Sequence, residues 1–487
     1  MGDRINAAAL ATRQPDQVRH RLEDCVTALA AMVDRGWFTG HEDTVGMEVE
    51  LDLVDPLGRP RPVNDAVLDH LHRADLQHEL GRFNVEVNLP AGPIAAGLGG
   101  FERRLGDLLA GGTEALGVRL AAIGMLPTLS AELLTRDRLS SPTRYSLLAH
   151  RMRAERHGPV TVHIAGRETL RFRTDSIAPE AAATSLQLHL RVPPDRFADY
   201  YNAAQLAAGA QVAVGANSPY LLGRELWQET RLPLCEQVLD TRPRPVAAGG
   251  AAARVSLGDR WSTGPVELFD EIVRRIPPLL PTLTGEEPLA CLDSGVAPAL
   301  TELRLHNGTV WRWNRPVYDV RAGQPHLRIE NRVLPSGPTP VDMAANAAFY
   351  FGLVRALATA GRPLWSRMPF RYARGNLDAA GRLGLDATLH WDGAEAPADV
   401  LALDVLLPLA ADGLDRWGVP AGERDRYLSV VEDRVRSGRT GARWQTGLVR
   451  HLEKRSGLDR LTALREMTRR YVENARTGSP VHTWPTP

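Results

Sequence analysis

"GMEVELDLVD", residues 46–55, alternates Met47, Val49, Leu51 and Leu53 with Glu48, Glu50 and Asp52. Successive side chains of a strand point to opposite faces, so the stretch reads as a β-strand with one oily and one acidic face. Three carboxylates in a row on one face repel one another and cost stability. An acidic row kept at that cost points to a cationic partner.

Further strands carry polar rows. "RFNVEVNLP" (82–90) sets Asn84, Glu86 and Asn88 against Phe83, Val85, Val87 and Leu89, and "TSLQLHLRV" (184–192) sets Gln187, His189 and Arg191 against leucines. "LTELRLHNG" reads as a strand offering Glu302, Arg304 and His306, and "PHLRIENRVLP" as one offering His326, Arg328, Glu330 and Arg332. Between them lie helical patterns. An amphipathic helix begins near Asp16, another falls near 100–117, and an alanine-rich one spans 197–215. A helix at 341–360 stops at Gly361 and Pro363, and four more are expected near 398–416, 423–436, 445–454 and 457–475. Residues 242–256, "RPRPVAAGGAAARVS", read as a loop or lid. The expected architecture is α+β: a curved, mostly antiparallel sheet with helices packed on its oily face. Its parts are an N-terminal helical segment (1–40), a catalytic unit (41–397) and a helical C-terminal region (398–487) packed on that unit.

A sheet with one wet face also alternates, and for any single strand that explanation suffices. A merely wet face favours Thr, Ser, Lys and Gln with charges of mixed sign, however. Here the rows are Glu-x-Glu-x-Asp, Asn-x-Glu-x-Asn, Gln-x-His and Arg-x-Glu-x-Arg. Crowded carboxylates stay ionised near neutral pH when cations offset their repulsion. Mg²⁺ takes oxygen ligands, a few from carboxylates and others from phosphates, and guanidinium groups bind phosphate bidentately. If the strands share a sheet, the face suits a Mg–nucleotide site with Glu48, Glu50, Glu86, His189 and Glu330 as ligand candidates.

Bulk properties exclude several classes. Lys+Arg and Asp+Glu balance at 58 each, which argues against a nucleic-acid or membrane surface. Lys454 is the sole lysine, so a P-loop or kinase-strand lysine is excluded, and phosphate falls to arginine. No GxSxG, GxGxxG, CxxC or HExxH motif occurs. The three cysteines, Cys25, Cys235 and Cys291, lie far apart without metal spacing. With no apolar leader and no membrane-length run, the expected location is the cytoplasm.

Several ordered motifs together resemble a known family: "GMEVELDL", "HELGRFNVEVNLP", "TSLQLHLRV", "GANSPYLLGRELWQETR", "ELRLHNGTVWRWNRPVYD", "PHLRIENRVLPSGPTPVDMAANAAFY", "RGNLDAAGRLGLDA" (374–387) and "TGARWQTG" (440–447). They are similar to the glutamate–cysteine ligase type 2, or carboxylate–amine ligase, family, from about residue 40 to 475. The resemblance implies a glutamine-synthetase-like catalytic fold using ATP and Mg²⁺, with Mn²⁺ as an alternative. It assigns metal ligation to Glu48, Glu50, Glu79, Glu86, His189 and Glu330; Glu79 rests on the resemblance alone. Arg304, Arg328 and Arg332 would stabilise the moving phosphoryl group, and Glu50 or Glu86 would accept the amine proton. Asn217, Arg231 and Trp444 resemble substrate-side positions, with a structural role the competing explanation. Trp311 and Trp313 fall on the apolar register and are expected in the core. The implied reaction activates a small-molecule carboxylate, by family name the γ-carboxylate of glutamate, as an acyl phosphate and joins it to an amine. The resemblance also implies a homo-oligomer of unspecified size. Two alternatives remain: a guanidino-kinase-type phosphotransferase on the same scaffold, and a non-catalytic nucleotide-binding relative.

Overall fold

The computed structural model describes residues 15–39, 44–141, 143–156, 158–242 and 252–486. Most of the loop expected at 242–256 therefore lies outside the described residues. In chain order the strands are β1 (Thr44–Val54), β2 (Leu76–His78), β3 (Asn84–Pro93), β4 (Arg119–Ala121), β5 (Val160–Ala165), β6 (Thr169–Thr174) and β7 (Ser185–Arg191). They continue with β8 (Tyr220–Leu221), β9 (Arg224–Glu225), β10 (Asn314–Arg321), β11 (Gln324–Pro335), β12 (Thr388–Trp391) and β13 (Ala394–Pro397). Seven of them form one curled antiparallel sheet in the order β10–β11–β7–β1–β3–β2, with β4 on the far end of β1. β5–β6, β8–β9 and β12–β13 are separate hairpins. The architecture is α+β.

The alternation in β1 works as its sequence demands: Val49, Leu51 and Leu53 are fully buried against the core. Helices Phe197–Gly215 and Pro340–Ala358 pack within that core and are buried almost all round, which suits their alanine-rich sequences with few charges. Their few polar groups are tied down. Gln211 exchanges hydrogen bonds with Asn331 of β11, and Gln205 accepts one from Asn314 of β10. Asn331 therefore faces the helix, while its neighbours Glu330 and Arg332 face the opposite way.

The C-terminal helices join the same core. Arg434, on helix Ala421–Ser437, is fully buried and ion-paired with Asp342 at 2.7 Å. Tyr471, on helix Arg460–Ala475, donates to Ala122 O beside β4 and receives a hydrogen bond from Asn217. Among the described residues no helix is long and apolar enough to cross a membrane.

One expected strand is a helix. Residues Thr301–Asn307, read from sequence as a strand, form a short helix after Leu300 takes a left-handed backbone (φ 49°). The alternation there was two leucines long, too short to separate period 2 from a helical turn, and Glu, Leu and Arg all favour helix. The polar groups consequently scatter. Glu302 accepts hydrogen bonds from Thr284, the His306 ring meets Ile272 O, and Arg304 reaches the cavity described below. Trp311 and Trp313 precede β10 instead of lying within a strand. Trp313 is buried, as expected, whereas Trp311 is only partly buried, packing against the core and also lining the cavity.

Candidate active site

The concave face of the sheet and the loops around it enclose a cavity of about 350 Å³. Strand register decides which polar groups meet there. Glu50 lies opposite Glu86 across β1–β3, and Gln77 of β2 lies on the other side of Glu86. His189 of β7 lies opposite Glu330 of β11, which in turn lies opposite Arg315 of β10. Glu48 pairs with Gln187 and approaches His189 on the diagonal, its Oε1 3.2 Å from Nε2.

The acidic row of β1 is thus divided three ways. Glu48 joins His189 and Glu330. Glu50 joins Glu86 and Glu79, and one carboxylate oxygen from each of these three lies within 4.8 Å of the others. Asp52 leaves the cavity altogether: it pairs with Ala121 of β4, is fully buried, and accepts a hydrogen bond from Asn84 at 2.8 Å. Burial pushes its carboxyl well above the usual carboxylate range.

The two cavity clusters differ in charge compensation. Burial works to raise the Glu48 carboxyl, but the neighbouring His189 outweighs it and holds Glu48 at about 2. Glu330 is likewise kept well below the ordinary range against its burial by Arg315 and Arg332. Arg315 grips it with Nη2 at 2.8 and 2.9 Å, and Arg332 Nη1 reaches it at 2.5 Å. The other cluster lacks such partners. Burial and then Glu86 push Glu50 up to about 7, against Arg332 and the Ser185 N–H. Burial, then Glu50 and Glu86, carry Glu79 well above its ordinary value. Amides hold the carboxylates in place, Gln187 on Glu50 at 2.8 Å and Asn88 on Glu86 at 2.9 Å. Three converging carboxylate oxygens with too little positive charge fit a hard divalent cation. At the first cluster, Glu48, Glu330 and His189, whose buried Nε2 makes no hydrogen bond of ordinary geometry, offer a second oxygen-and-nitrogen set.

Further arginines border the first cluster. Arg328 donates to His189 Nδ1 and to Asp319, each at 3.3 Å, and Arg304 pairs with Asp319 at 3.1 Å. Phe269, Leu280 and Leu303 supply an apolar wall.

All six carboxylate and imidazole candidates named from the sequence line this one cavity, as do Arg304, Arg328 and Arg332. Arg231 borders a small adjoining hollow, its guanidinium bound to Glu229 and to Val333 O. Asn217 and Trp444 are not brought to the cavity. Asn217 is fully buried and bonded to Ser336 O, Tyr471 and Gln445; Trp444 packs on Tyr471 and Trp484 and donates to Pro485 O. Sequence reasoning missed Arg315, Asp319 and Glu180. Arg315 and Asp319 sit on β10, where "RPVYD" shows their alternation, but their partners on β11 and on helix Thr301–Asn307 emerge only from pairing. Glu180 lies in a short turn, Ala178–Ala182, with no periodic signal.

The curled antiparallel sheet with its packed helices is a fold also seen in a known ligase. The crystal structure of glutamate–cysteine ligase from Francisella tularensis in complex with AMP shares it, with a TM-score of 0.52 at 12% identity over 90% of each chain. More particularly, residues 44–471 match the profile of glutamate–cysteine ligase family 2, and the chain belongs to that family, a family of carboxylate–amine ligases. A bifunctional glutathione synthetase from Pasteurella multocida is also similar, at 10% identity and a TM-score of 0.49, over 93% of this chain and 55% of that one. No curated protein matches the chain.

Proposed function

We propose that the protein is an ATP- and Mg²⁺-dependent ligase that activates the γ-carboxylate of glutamate and joins it to an amine. The observation that carries this reading is the meeting of two carboxylate clusters and a set of arginines on one face of one cavity. In the first step a carboxylate oxygen attacks the γ-phosphorus, the bond to the bridging oxygen breaks, and ADP leaves. In the second the amine nitrogen attacks the acyl carbon, the acyl–oxygen bond breaks, and phosphate departs with the electron pair.

The residues divide this work by position. Arg304 and Arg328 would hold phosphate oxygens, exchanging Asp319 for them, and Arg332, anchored by Glu330 and Gln187, would face the charge on the transferring group. Glu50, Glu79 and Glu86 would hold one Mg²⁺, and Glu48, His189 and Glu330 another. When bound, the metals supply neutralisation of the triphosphate. Glu50 or Glu86 would take the proton that the amine loses. Phe269 and Leu303 give the cavity an apolar wall, which strengthens the electrostatic terms inside it.

The test is ATP consumption with Mg²⁺, glutamate and a panel of amines, reading phosphate release and product mass together. Phosphate release with a new amide mass is expected. Phosphoryl transfer to the acceptor with no free phosphate would instead establish a phosphotransferase.

A further inference from the structure

A hollow of about 30 Å³ adjoins the main cavity and shares Glu50, Glu180, Trp311 and Arg332 with it. Its remaining wall includes Ser185, Cys235 and Trp313. The positive groups nearby are committed elsewhere. Arg332 is bound to Glu330 and Gln187 at 2.5 Å each, and Arg231 to Glu229 at 2.6 Å and Val333 O at 2.7 Å. Glu180 differs: among the described residues its carboxyl has no hydrogen bond or salt bridge, and Arg332 acts on it only at longer range. The Ser185 hydroxyl, beside Glu50 and only 5% exposed, makes no hydrogen bond of ordinary geometry either. Native structures pair their buried polar groups, so the orphaned Ser185 hydroxyl, beside a half-buried Glu180 carboxyl with no ion pair, calls for a donor from outside. Burial keeps the Cys235 thiol protonated, so it is wall and not nucleophile.

We propose that this hollow is the acceptor subsite of the ligase reading above, on which it rests, and that it selects an unbranched primary amine carrying no carboxylate beside its nitrogen. An alkylammonium has three N–H donors, and Glu180, Ser185 Oγ and the free lone pairs of Glu50 are three acceptors for them. The indoles of Trp311 and Trp313 add surfaces that favour a cation. The space suits about two water-sized groups, an ammonium and its first methylene. An α-amino acid would bring a branch that does not fit, and a carboxylate that meets Glu50 and Glu180.

The experiment compares the native protein with Glu180→Gln, using Mg–ATP, glutamate and four probes: ethylamine, ethanolamine, glycine and cysteine. The native enzyme is expected to prefer the two alkylamines, and Glu180→Gln to raise their KM by about tenfold or more, the scale of losing a charged hydrogen bond. KM for glutamate and for Mg–ATP should stay near native values. A preference for cysteine or glycine overturns the proposal. So does a rise confined to the glutamate KM, which would give Glu180 to the donor's own ammonium. A raised Mg²⁺ requirement would make Glu180 a metal ligand, with the same consequence. If no probe yields an amide, the ligase reading fails separately, and calorimetry with ethylammonium decides the hollow. Binding lost in Glu180→Gln supports it, and equal or absent binding in both proteins overturns it.

Discussion

Glu79 and Glu48 show how two carboxylates of one cavity come to opposite states. Glu79 faces Glu50 and Glu86 with no guanidinium of its own, so its charge works against the fold when no cation is bound. Glu79→Gln is therefore expected to raise the unfolding midpoint in metal-free buffer, by about 0.5–2 kcal/mol of stability. Saturating Mg²⁺ should reverse the order: the native protein gains about 2.7 kcal/mol at a hundred times its Kd, and the variant much less. Denaturation with and without Mg²⁺ checks both, and a variant stabilised by Mg²⁺ as fully as the native protein would remove Glu79 from the metal set. Glu48 is the cleaner probe of turnover, since Gln keeps its shape beside His189. Glu48→Gln should lose more than the roughly 10–100-fold typical of changing a metal ligand's outer partner, with the far-UV CD spectrum unchanged. Glu330→Gln is less informative, because it leaves Arg315 and Arg332 buried together without their shared anion.

Helix Thr301–Asn307 is the element whose reading from sequence failed, and its failure has a physical origin. Where four or more alternating positions ran together, as in β1, β3, β7 and β11, the strand emerged as expected. Over 301–307 only Leu303 and Leu305 alternated, and the left-handed turn at Leu300 tipped the chain into a helix. That helix buries His306 beside Ile272 O, and burial, with Arg254 near, pushes its imidazole down from 6.5 to about 4. The unfolded chain therefore takes up this proton first as pH falls. The contribution to stability is complete above about pH 6.5, is lost as pH drops toward about 4, and changes no further below that. At about 1.36 kcal/mol per pH unit the loss is on the order of 3 kcal/mol. In urea titrations at pH 7, 5.5 and 4, His306→Leu should lose less stability across this window than the native protein. Equal losses would mean that His306 is protonated in the folded state.

The C-terminal helices are held to the sheet-bearing part by buried charge as well as by apolar packing. Asp342 accepts from Arg434 at 2.7 Å, Thr339 Oγ1 at 2.7 Å and Val481 N at 2.9 Å, drawing three distant segments together. Asp342→Ala removes the anion and leaves Arg434 charged in the interior, with Asn346 as its remaining side-chain partner. The expected cost is about 3–5 kcal/mol. Midpoints by tryptophan fluorescence and by far-UV CD should fall together, because Trp444 and Trp484 lie on the same packed assembly. A fluorescence midpoint that fell alone would show the C-terminal helices unfolding separately.

The sequence by itself determined that β1, β3, β7 and β11 are strands and which of their faces is polar, because a period of two is a local property of the chain. The helices at 197–215 and 341–360 were legible as alanine-rich, mostly apolar runs, the second stopped by Gly361 and Pro363. The sequence also named Glu48, Glu50, Glu79, Glu86, His189, Glu330 and three of the arginines that line the cavity, though not Arg315, Asp319 or Glu180. Only the tertiary structure decided how they divide. Glu48 and Glu50 stand two residues apart on one strand, yet β7 and β11 bring His189 and Glu330 to the first, and β3 brings Glu86 to the second. A carboxylate's charge is set by the cations within a few ångströms of it, and those come from residues far away in the chain, as Arg332 is from Glu50. For the same reason Glu180, in a turn without periodicity, acquired its place beside Glu50 and Arg332 only when the chain had folded.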